Sequence, residues 1–183
     1  MLQGDDLTLS LGGRVLGPIS IGLGAGEVLG LSGPSGSGKT SLARVLAGLD
    51  APLSGRVRRP EGRVIYLHQA PRSAFNPRWR LGRSLAEGGP WDADLAAALG
   101  LQEGWLLAFP HELSGGELAR ISIARGLFAK PAVLIADEIT AELDPVSQAQ
   151  VWRAMRAQKR MGLLVISHNE ALLDHLSHRR IRL

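Results

Sequence analysis

The chain has 183 residues, enough for one domain or two closely joined subdomains with a substantial buried core. It contains no cysteine, which excludes disulfide bonds, thiol nucleophiles and cysteine-based zinc or iron–sulfur sites. The net charge is +4, and the apolar stretches are only about five residues long, far short of the ~18 needed to span a bilayer.

The first 26 residues differ in pattern from the rest of the chain. Leucines alternate with small polar residues, as at Leu7, Leu9 and Leu11. Alternation with a period of two is typical of half-buried strands. We therefore expect a small antiparallel β flap here.

Beyond the flap, short apolar runs alternate with amphipathic segments. A buried strand is predicted at 28–31, followed by a glycine-rich turn and a helix at 40–47. Further buried strands are predicted at 63–67, 132–136 and 163–167, and further helices at 92–99, 117–129, 146–161 and 169–176. Continuous apolar strands separated by helices indicate a mostly parallel sheet covered on both faces, an α/β fold.

The glycine-rich turn, GPSGSGKT at 33–40, fits the P-loop pattern GxxxxGK[ST]. Glycines let backbone amides wrap around phosphate oxygens, and the following helix adds the partial positive charge of its N-terminus. In this pattern Lys39 bridges the β- and γ-phosphates, Thr40 binds Mg²⁺ and Ser41 reaches the α-phosphate. The predicted nucleotide-binding residues are Gly33, Ser35, Gly36, Ser37, Gly38, Lys39, Thr40 and Ser41.

The apolar run 132–136 leads into two acids, Asp137 and Glu138. A P-loop enzyme needs a carboxylate at the end of a neighbouring strand to hold magnesium, and Asp137 suits that role. Glu138 is then the candidate that polarises the attacking water.

A second anion cradle is predicted at Ser114, Gly115 and Gly116, directly before a helix. The alternative is a plain helix N-cap, in which Ser114 and Glu117 form a capping box. Two phosphate cradles in one chain suggest a nucleotide that is shared between two copies.

In this order the motifs resemble those of the ATPase subunit of ABC transporters. The P-loop, LSGGE at 113–117 and LIADE at 134–138 match the family's Walker A, signature and Walker B motifs. Gln69 matches the glutamine of the family's Q-loop, and His168 matches its switch histidine.

Three further segments extend the resemblance. Residues 139–144 resemble the family's D-loop. Residues 70–78 together with 143–150 give a finer resemblance, to the peptide and nickel importer branch. Glu142 and Asp144 can be interpreted either as an extra metal site or as a solvated loop at a dimer contact.

The resemblance implies a P-loop NTPase fold: a mostly parallel sheet with flanking helices, an N-terminal antiparallel β flap and a small helical subdomain. We expect a single domain, 1–183, whose core comprises 1–70 and 118–183 and whose helical signature subdomain comprises 71–117.

The resemblance also implies an ATPase that uses Mg²⁺. Glu138 would be the general base, His168 would sense the γ-phosphate, and Gln69 would coordinate Mg²⁺ at a hinge to the helical subdomain. The implied magnesium ligands are Thr40, Gln69 and Asp137. The implied contacts to the γ-phosphate of the partner's ATP are Ser114, Gly115 and Gly116.

The implied partners are a second ATPase subunit, identical or paralogous, and transmembrane permease subunits. The protein would import a peptide, nickel or a metal chelate and would lie peripherally on the cytoplasmic side of the membrane. The alternative is a non-transport ABC-type ATPase that acts on nucleic acid or ribosomes, which the arginine content would suit. Since no coiled coil interrupts the motifs, nucleic acid binding is not expected. A P-loop kinase is disfavoured because it would leave LSGGE without a purpose.

Three positions depart from the family pattern. Leu11 lies where members usually have an aromatic residue that stacks on adenine, so selectivity for adenine should be weak. Ile139 replaces a usual proline, and Asn169 replaces a common aspartate.

Overall fold

The computed structural model describes all 183 residues. The strands are β1 (Leu2–Leu11), β2 (Arg14–Leu23), β3 (Val28–Ser32), β4 (Ser54–Arg58), β5 (Val64–Leu67), β6 (Val133–Asp137), β7 (Gly162–Ile166) and β8 (Arg179–Arg182). The α-helices are α1 (Lys39–Ala47), α2 (Leu81–Ala86), α3 (Ala93–Ala98), α4 (Gly115–Phe128), α5 (Pro145–Arg156) and α6 (Glu170–Leu176). Short 3₁₀ helices occupy Pro71–Ala74, Glu103–Leu107 and Pro110–Glu112.

The strands form two sheets. In the three-stranded sheet, order β2-β1-β4, both pairings are antiparallel, which confirms the predicted flap. In the five-stranded sheet the order is β5-β6-β7-β3-β8. Three of its pairings, β6 with β7, β7 with β3 and β3 with β8, are parallel. Every residue of β3, β6 and β7 is buried, so the predicted α/β class with continuous apolar strands is confirmed.

Some predicted boundaries differ from the structure. The helix predicted at 146–161 ends at Arg156, because the chain must turn before Gly162 enters β7 beside Val133. The strands β4 and β8 were not predicted, because their sequences are rich in arginine and lack an apolar run. Four of the five residues of β4 and three of the four residues of β8 are exposed. The longest helix, α4, has 14 residues. None of the helices is both long enough and apolar enough to cross a bilayer.

The chain divides into two compact units. The first contains 1–66, 132–137 and 159–183, and its core comprises leucine, isoleucine and valine side chains of β1, β3, α1, β6 and β7. The second contains 67–131 and 138–158, where α4 packs on α2 and α3 packs on α5. The predicted helical subdomain, 71–117, covers only part of this second unit, because α4 and α5 pack with the helices that precede them.

Candidate functional site

The loop between β3 and α1 has the backbone that an anion cradle requires. Gly33, Gly36 and Gly38 have φ values of 148°, 77° and 98°, which side chains other than glycine rarely adopt. A Cβ at Gly36 would meet no atom within 4 Å, so this part of the loop faces open space. The hydroxyl of Ser37 is buried and has no hydrogen-bond partner. A bare loop and an unsatisfied buried hydroxyl at the start of a nine-residue helix fit a phosphate group.

Lys39 brings a cation to the same loop. Its Nζ donates to the carbonyl oxygens of Gly33 at 2.8 Å and Pro34 at 2.9 Å, and the residue is only 8% exposed. An ammonium group has three donors, so these two bonds leave one for a phosphate oxygen.

Two of the three predicted magnesium residues, Thr40 and Asp137, are hydrogen-bonded to each other. The hydroxyl of Thr40 donates to Oδ2 of Asp137 at 2.8 Å, and the hydroxyl of Tyr66 donates to the same oxygen at 2.8 Å. Asp137 is 2% exposed. Burial, and then the hydrogen bond to Asp137, raise the pKa of Tyr66 far above its usual value, so Tyr66 stays protonated and remains a donor. Tyr66 had not been predicted as part of the site.

These oxygen atoms suit Mg²⁺. Because the Thr40 hydroxyl directs its hydrogen to Asp137, both lone pairs of the Thr40 oxygen stay available to a cation. Mg²⁺ is usually held by one or two carboxylates together with substrate phosphates, and Asp137 supplies such a carboxylate. The structure brings no three His, Asp or Glu side chains together in a metal-binding group.

The P-loop, Asp137 and His168 lie at the carboxyl ends of three adjacent parallel strands, β3, β6 and β7 respectively. They therefore lie at the same edge of the sheet, where α/β folds bind their ligands. The side chain of His168 is exposed. Asn169 begins α6 as its N-cap, and its side chain accepts a bond from the Leu172 amide at 3.0 Å. Asparagine thus serves the cap as well as the more common aspartate would.

In the second unit, Gln69 and Glu138 are hydrogen-bonded to each other. The amide Nε2 of Gln69 donates to Oε2 of Glu138 at 3.2 Å. Glu138 is half-buried and has a φ of +50°. The predicted base is therefore held by the residue that was predicted to coordinate Mg²⁺.

The signature segment, 113–117, forms the capping box that was predicted as the alternative to an anion cradle. Ser114 caps α4 by accepting from the Glu117 amide, while Oε2 of Glu117 accepts from the amide and the hydroxyl of Ser114 at 2.8 and 2.7 Å. A capping box leaves the next helix amides accessible, so it is compatible with an anion cradle.

Glu142 lies over the start of α4. A Cβ built on Gly115 would overlap Oε2 of Glu142, so the carboxylate covers the bare backbone that was predicted to receive a phosphate. Asp144 has a different role, because it caps α5 by accepting from the amides of Val146 and Ser147 at 3.0 Å each. The hydroxyl of Ser147, followed by its amide, lowers the pKa of Asp144 below its usual value.

The flap reaches the P-loop through apolar side chains. A Cβ on Gly38 would come within 2.8 Å of Leu11 Cδ1 and 2.5 Å of Leu16 Cδ2. Leu11, the position predicted to face the base, therefore lies directly against the loop that was predicted to hold the phosphates.

A family model described as ABC transporter matches residues 16–141. A putative peptide import ATP-binding protein of Brucella abortus (strain 2308) is 35% identical over 91% of this chain and 59% of the relative. The nickel import system ATP-binding protein NikE of Staphylococcus aureus (strain N315) is 36% identical over 91% of this chain and 78% of that protein. The chain thus spans less than two thirds of the length of the peptide-import relative.

Solved structures share the fold. An ATP-binding subunit of an ABC transporter superposes with a TM-score of 0.90 at 22% identity, covering 100% of this chain and 85% of that one. The dimeric bacterial ABC transporter cassette MJ0796 superposes with a TM-score of 0.85 at 20% identity, covering 100% and 94%.

Proposed function

This chain belongs to the ABC transporter family, and from that premise we propose that it binds and hydrolyses ATP to drive solute import through a partner permease. The observation that carries the proposal is the P-loop with its unsatisfied Ser37 hydroxyl, its buried Lys39 and the Thr40–Asp137 hydrogen bond behind it. These are the groups that a nucleoside triphosphate and its cation require.

The proposed reaction is the attack of water on the γ-phosphorus of ATP. Glu138 accepts a proton from that water as its oxygen bonds to phosphorus, and the bond from the γ-phosphorus to the bridging oxygen breaks to release ADP. The hydrogen bond from Gln69 fixes the carboxylate that performs this step. Lys39 and the loop amides balance the charge of the triphosphate, and the exposed imidazole of His168 orients its γ-phosphate.

Thr40 and Asp137 would hold Mg²⁺, with Gln69 as the further proposed ligand. When bound, the cation neutralises charge on the β- and γ-phosphates. The chain's own contribution is to fix the orientation of the Asp137 carboxylate, since this buried group accepts two hydrogen bonds on one oxygen.

A second copy of the chain, or a paralogous cassette, would complete the site with its Ser114, Gly115 and Gly116. The support is the bare start of α4, a 14-residue helix whose N-terminus attracts anions. Because both copies contribute, hydrolysis requires two cassettes.

Import is supported by the names of the curated relatives, which are peptide and nickel import ATP-binding proteins. We propose a peptide, nickel or a metal chelate as the solute, and a peripheral position on the cytoplasmic side of the membrane. The same names favour transport over the alternative of an ATPase acting on nucleic acid or ribosomes.

Two measurements test this function. Isothermal calorimetry should detect ATP binding to the wild type, and Lys39→Ala should weaken it about tenfold or more, because the phosphates lose their main cation. An exposed lysine changed in the same way, Lys159→Ala, is the matched control. Unchanged affinity in Lys39→Ala would contradict the P-loop assignment.

The second measurement is co-purification from native membranes. A hydrophobic permease that stays bound through a salt wash supports transport. Nucleic acid that is bound and released by salt, without a permease, would support the alternative function.

A further inference from the structure

Tyr66 holds Asp137 from a part of the fold that is separate from the P-loop. Tyr66 lies on β5, the neighbour of β6 in the sheet, whereas Thr40 lies on α1 directly after the nucleotide loop. Both hydroxyls donate to Oδ2 of Asp137 at 2.8 Å. The two hydrogen bonds therefore anchor one carboxylate oxygen from two different elements.

This arrangement leaves Oδ1 as the oxygen that neither hydroxyl holds. Asp137 is 2% exposed, so its carboxylate would otherwise be a buried charge with a single donor. When a buried charged group loses a hydrogen bond, the free energy of the folded protein rises and the orientation of the group is less fixed. Second-layer donors of this kind orient metal ligands and tune metal affinity.

We propose that Tyr66 is a positioning residue for the cation: its hydroxyl fixes Oδ2 of Asp137 so that Oδ1 is presented to Mg²⁺ or to its coordinated water. The inference rests on the proposed function, since it requires that Asp137 serves bound Mg²⁺–nucleotide. It concerns a residue whose aromatic ring also packs against the apolar core of the first unit, so packing is the competing explanation.

The first test measures the Mg²⁺ dependence of nucleotide binding, with a fluorescent ATP analogue as the probe. Tyr66→Phe keeps the ring and removes the hydroxyl alone. We expect the Mg²⁺ concentration for half-maximal binding to rise about three- to tenfold, the size expected for the net contribution of one ordinary hydrogen bond. Binding of the metal-free nucleotide in EDTA should stay at the wild-type level, because the Tyr66 hydroxyl bonds Asp137, whereas Lys39 bonds the carbonyl oxygens of the P-loop.

A double-mutant cycle separates positioning from packing. If Tyr66 acts through Asp137, then Tyr66→Phe has no further effect on Mg²⁺ dependence in an Asp137→Asn background. Additive effects would overturn the proposal, as would an equal loss of metal-free and Mg²⁺-dependent binding. Ser177→Ala is the matched control, since that hydroxyl bonds the Leu173 carbonyl and should leave the Mg²⁺ dependence unchanged.

An NMR measurement on the wild-type protein covers the case in which the variants fold poorly. Tyr66 is the single tyrosine of the chain, so tyrosine labelled with ¹³C at Cζ gives one NMR signal in the wild type. That signal should move when Mg²⁺ is added to the ATP-bound wild type, because the cation draws charge from the carboxylate that accepts the hydrogen bond of the Tyr66 hydroxyl. A signal that does not respond to Mg²⁺ would overturn the proposal. Absence of any Mg²⁺–ATP binding by the wild type would instead contradict the proposed function itself.

Discussion

Glu138 has a φ of +50°, in a region where the Cβ of an ordinary residue crowds the backbone. Such a conformation costs on the order of 1–3 kcal/mol and persists where the surrounding structure imposes it. Here the fully buried β6 directly precedes the residue, and the Gln69 amide binds its carboxylate. The backbone strain and the predicted catalytic carboxylate therefore coincide at one residue.

Glu138→Gln should keep ATP binding and lower the rate of hydrolysis by about 10²-fold or more, as expected when a general base is lost. Release of phosphate under single-turnover conditions measures the rate, and calorimetry measures the binding. Glu61→Gln, an exposed acid in a loop, is the control. Hydrolysis near the wild-type rate would remove Glu138 from the role of base.

Leu11 lies against Gly38 and offers the base only apolar contact. We expect ATP to be preferred over GTP by less than about tenfold, equivalent to ~1.4 kcal/mol, because phosphate contacts do not distinguish the bases. Leu11→Tyr should tighten ATP binding, since stacking on one base contributes roughly 1–3 kcal/mol. Competition between the two nucleotides for a fluorescent analogue measures both effects.

Leu53→Tyr is the control for Leu11→Tyr, because Leu53 is 60% exposed and leads into β4. A strong ATP preference in the wild type, or no response to Leu11→Tyr, would show that another residue contacts the base.

At the scale of the elements, the start of α4 carries two competing features. Its bare glycines and N-terminal partial charge favour an anion, and the carboxylate of Glu142 already covers Gly115. A carboxylate there interacts favourably with the helix, yet it repels any phosphate that approaches the same backbone. A nucleotide held by a second copy would have to displace Glu142.

Glu142→Ala should therefore lower the ATP concentration for half-maximal hydrolysis by about two- to fivefold, the range of a surface charge at a helix terminus. The same change should slightly lower the melting temperature, because α4 loses a favourable charge. Glu61→Ala serves as the matched exposed acid. If the ATP concentration for half-maximal hydrolysis is unchanged or higher in Glu142→Ala, the Glu142 carboxylate does not compete with a phosphate at the start of α4.

At the scale of the whole molecule, the two predicted phosphate cradles lie in different compact units, the P-loop in the first and the signature segment in the second. If each nucleotide is shared between two copies, as proposed, then assembly depends on ATP. We expect a monomer without nucleotide and a weak dimer with ATP in the Glu138→Gln variant, measured by analytical ultracentrifugation. Full hydrolysis by a strictly monomeric preparation would contradict the shared site.

A paralogous partner gives a different result. In that case the purified chain stays monomeric with ATP, and hydrolysis appears only when the second cassette is added. Either partner requires Ser114, Gly115 and Gly116, so an added Ser114→Arg substitution should abolish the ATP-dependent assembly.

The sequence by itself determined the elements whose signals are local. The strand–loop–helix of the P-loop, the acids at the end of β6 and the buried parallel strands are all encoded within short windows of glycines, charges or apolar runs. The order of the motifs along the chain then identified the family, and the curated relatives confirm that assignment. The roles of the individual site residues stay predictions.

Only the tertiary structure decided the contacts between residues far apart in sequence. The hydrogen bond from Tyr66 to Asp137 joins residues on two strands that are 71 positions apart in the sequence. No local sequence pattern indicates that these two side chains are partners. The contact of Glu142 with Gly115, and the pairing of the arginine-rich β8 with β3, likewise arise from packing. The physical reason is the same in each case: a local window records burial and backbone preference, whereas the partner of a polar group is chosen when distant elements meet.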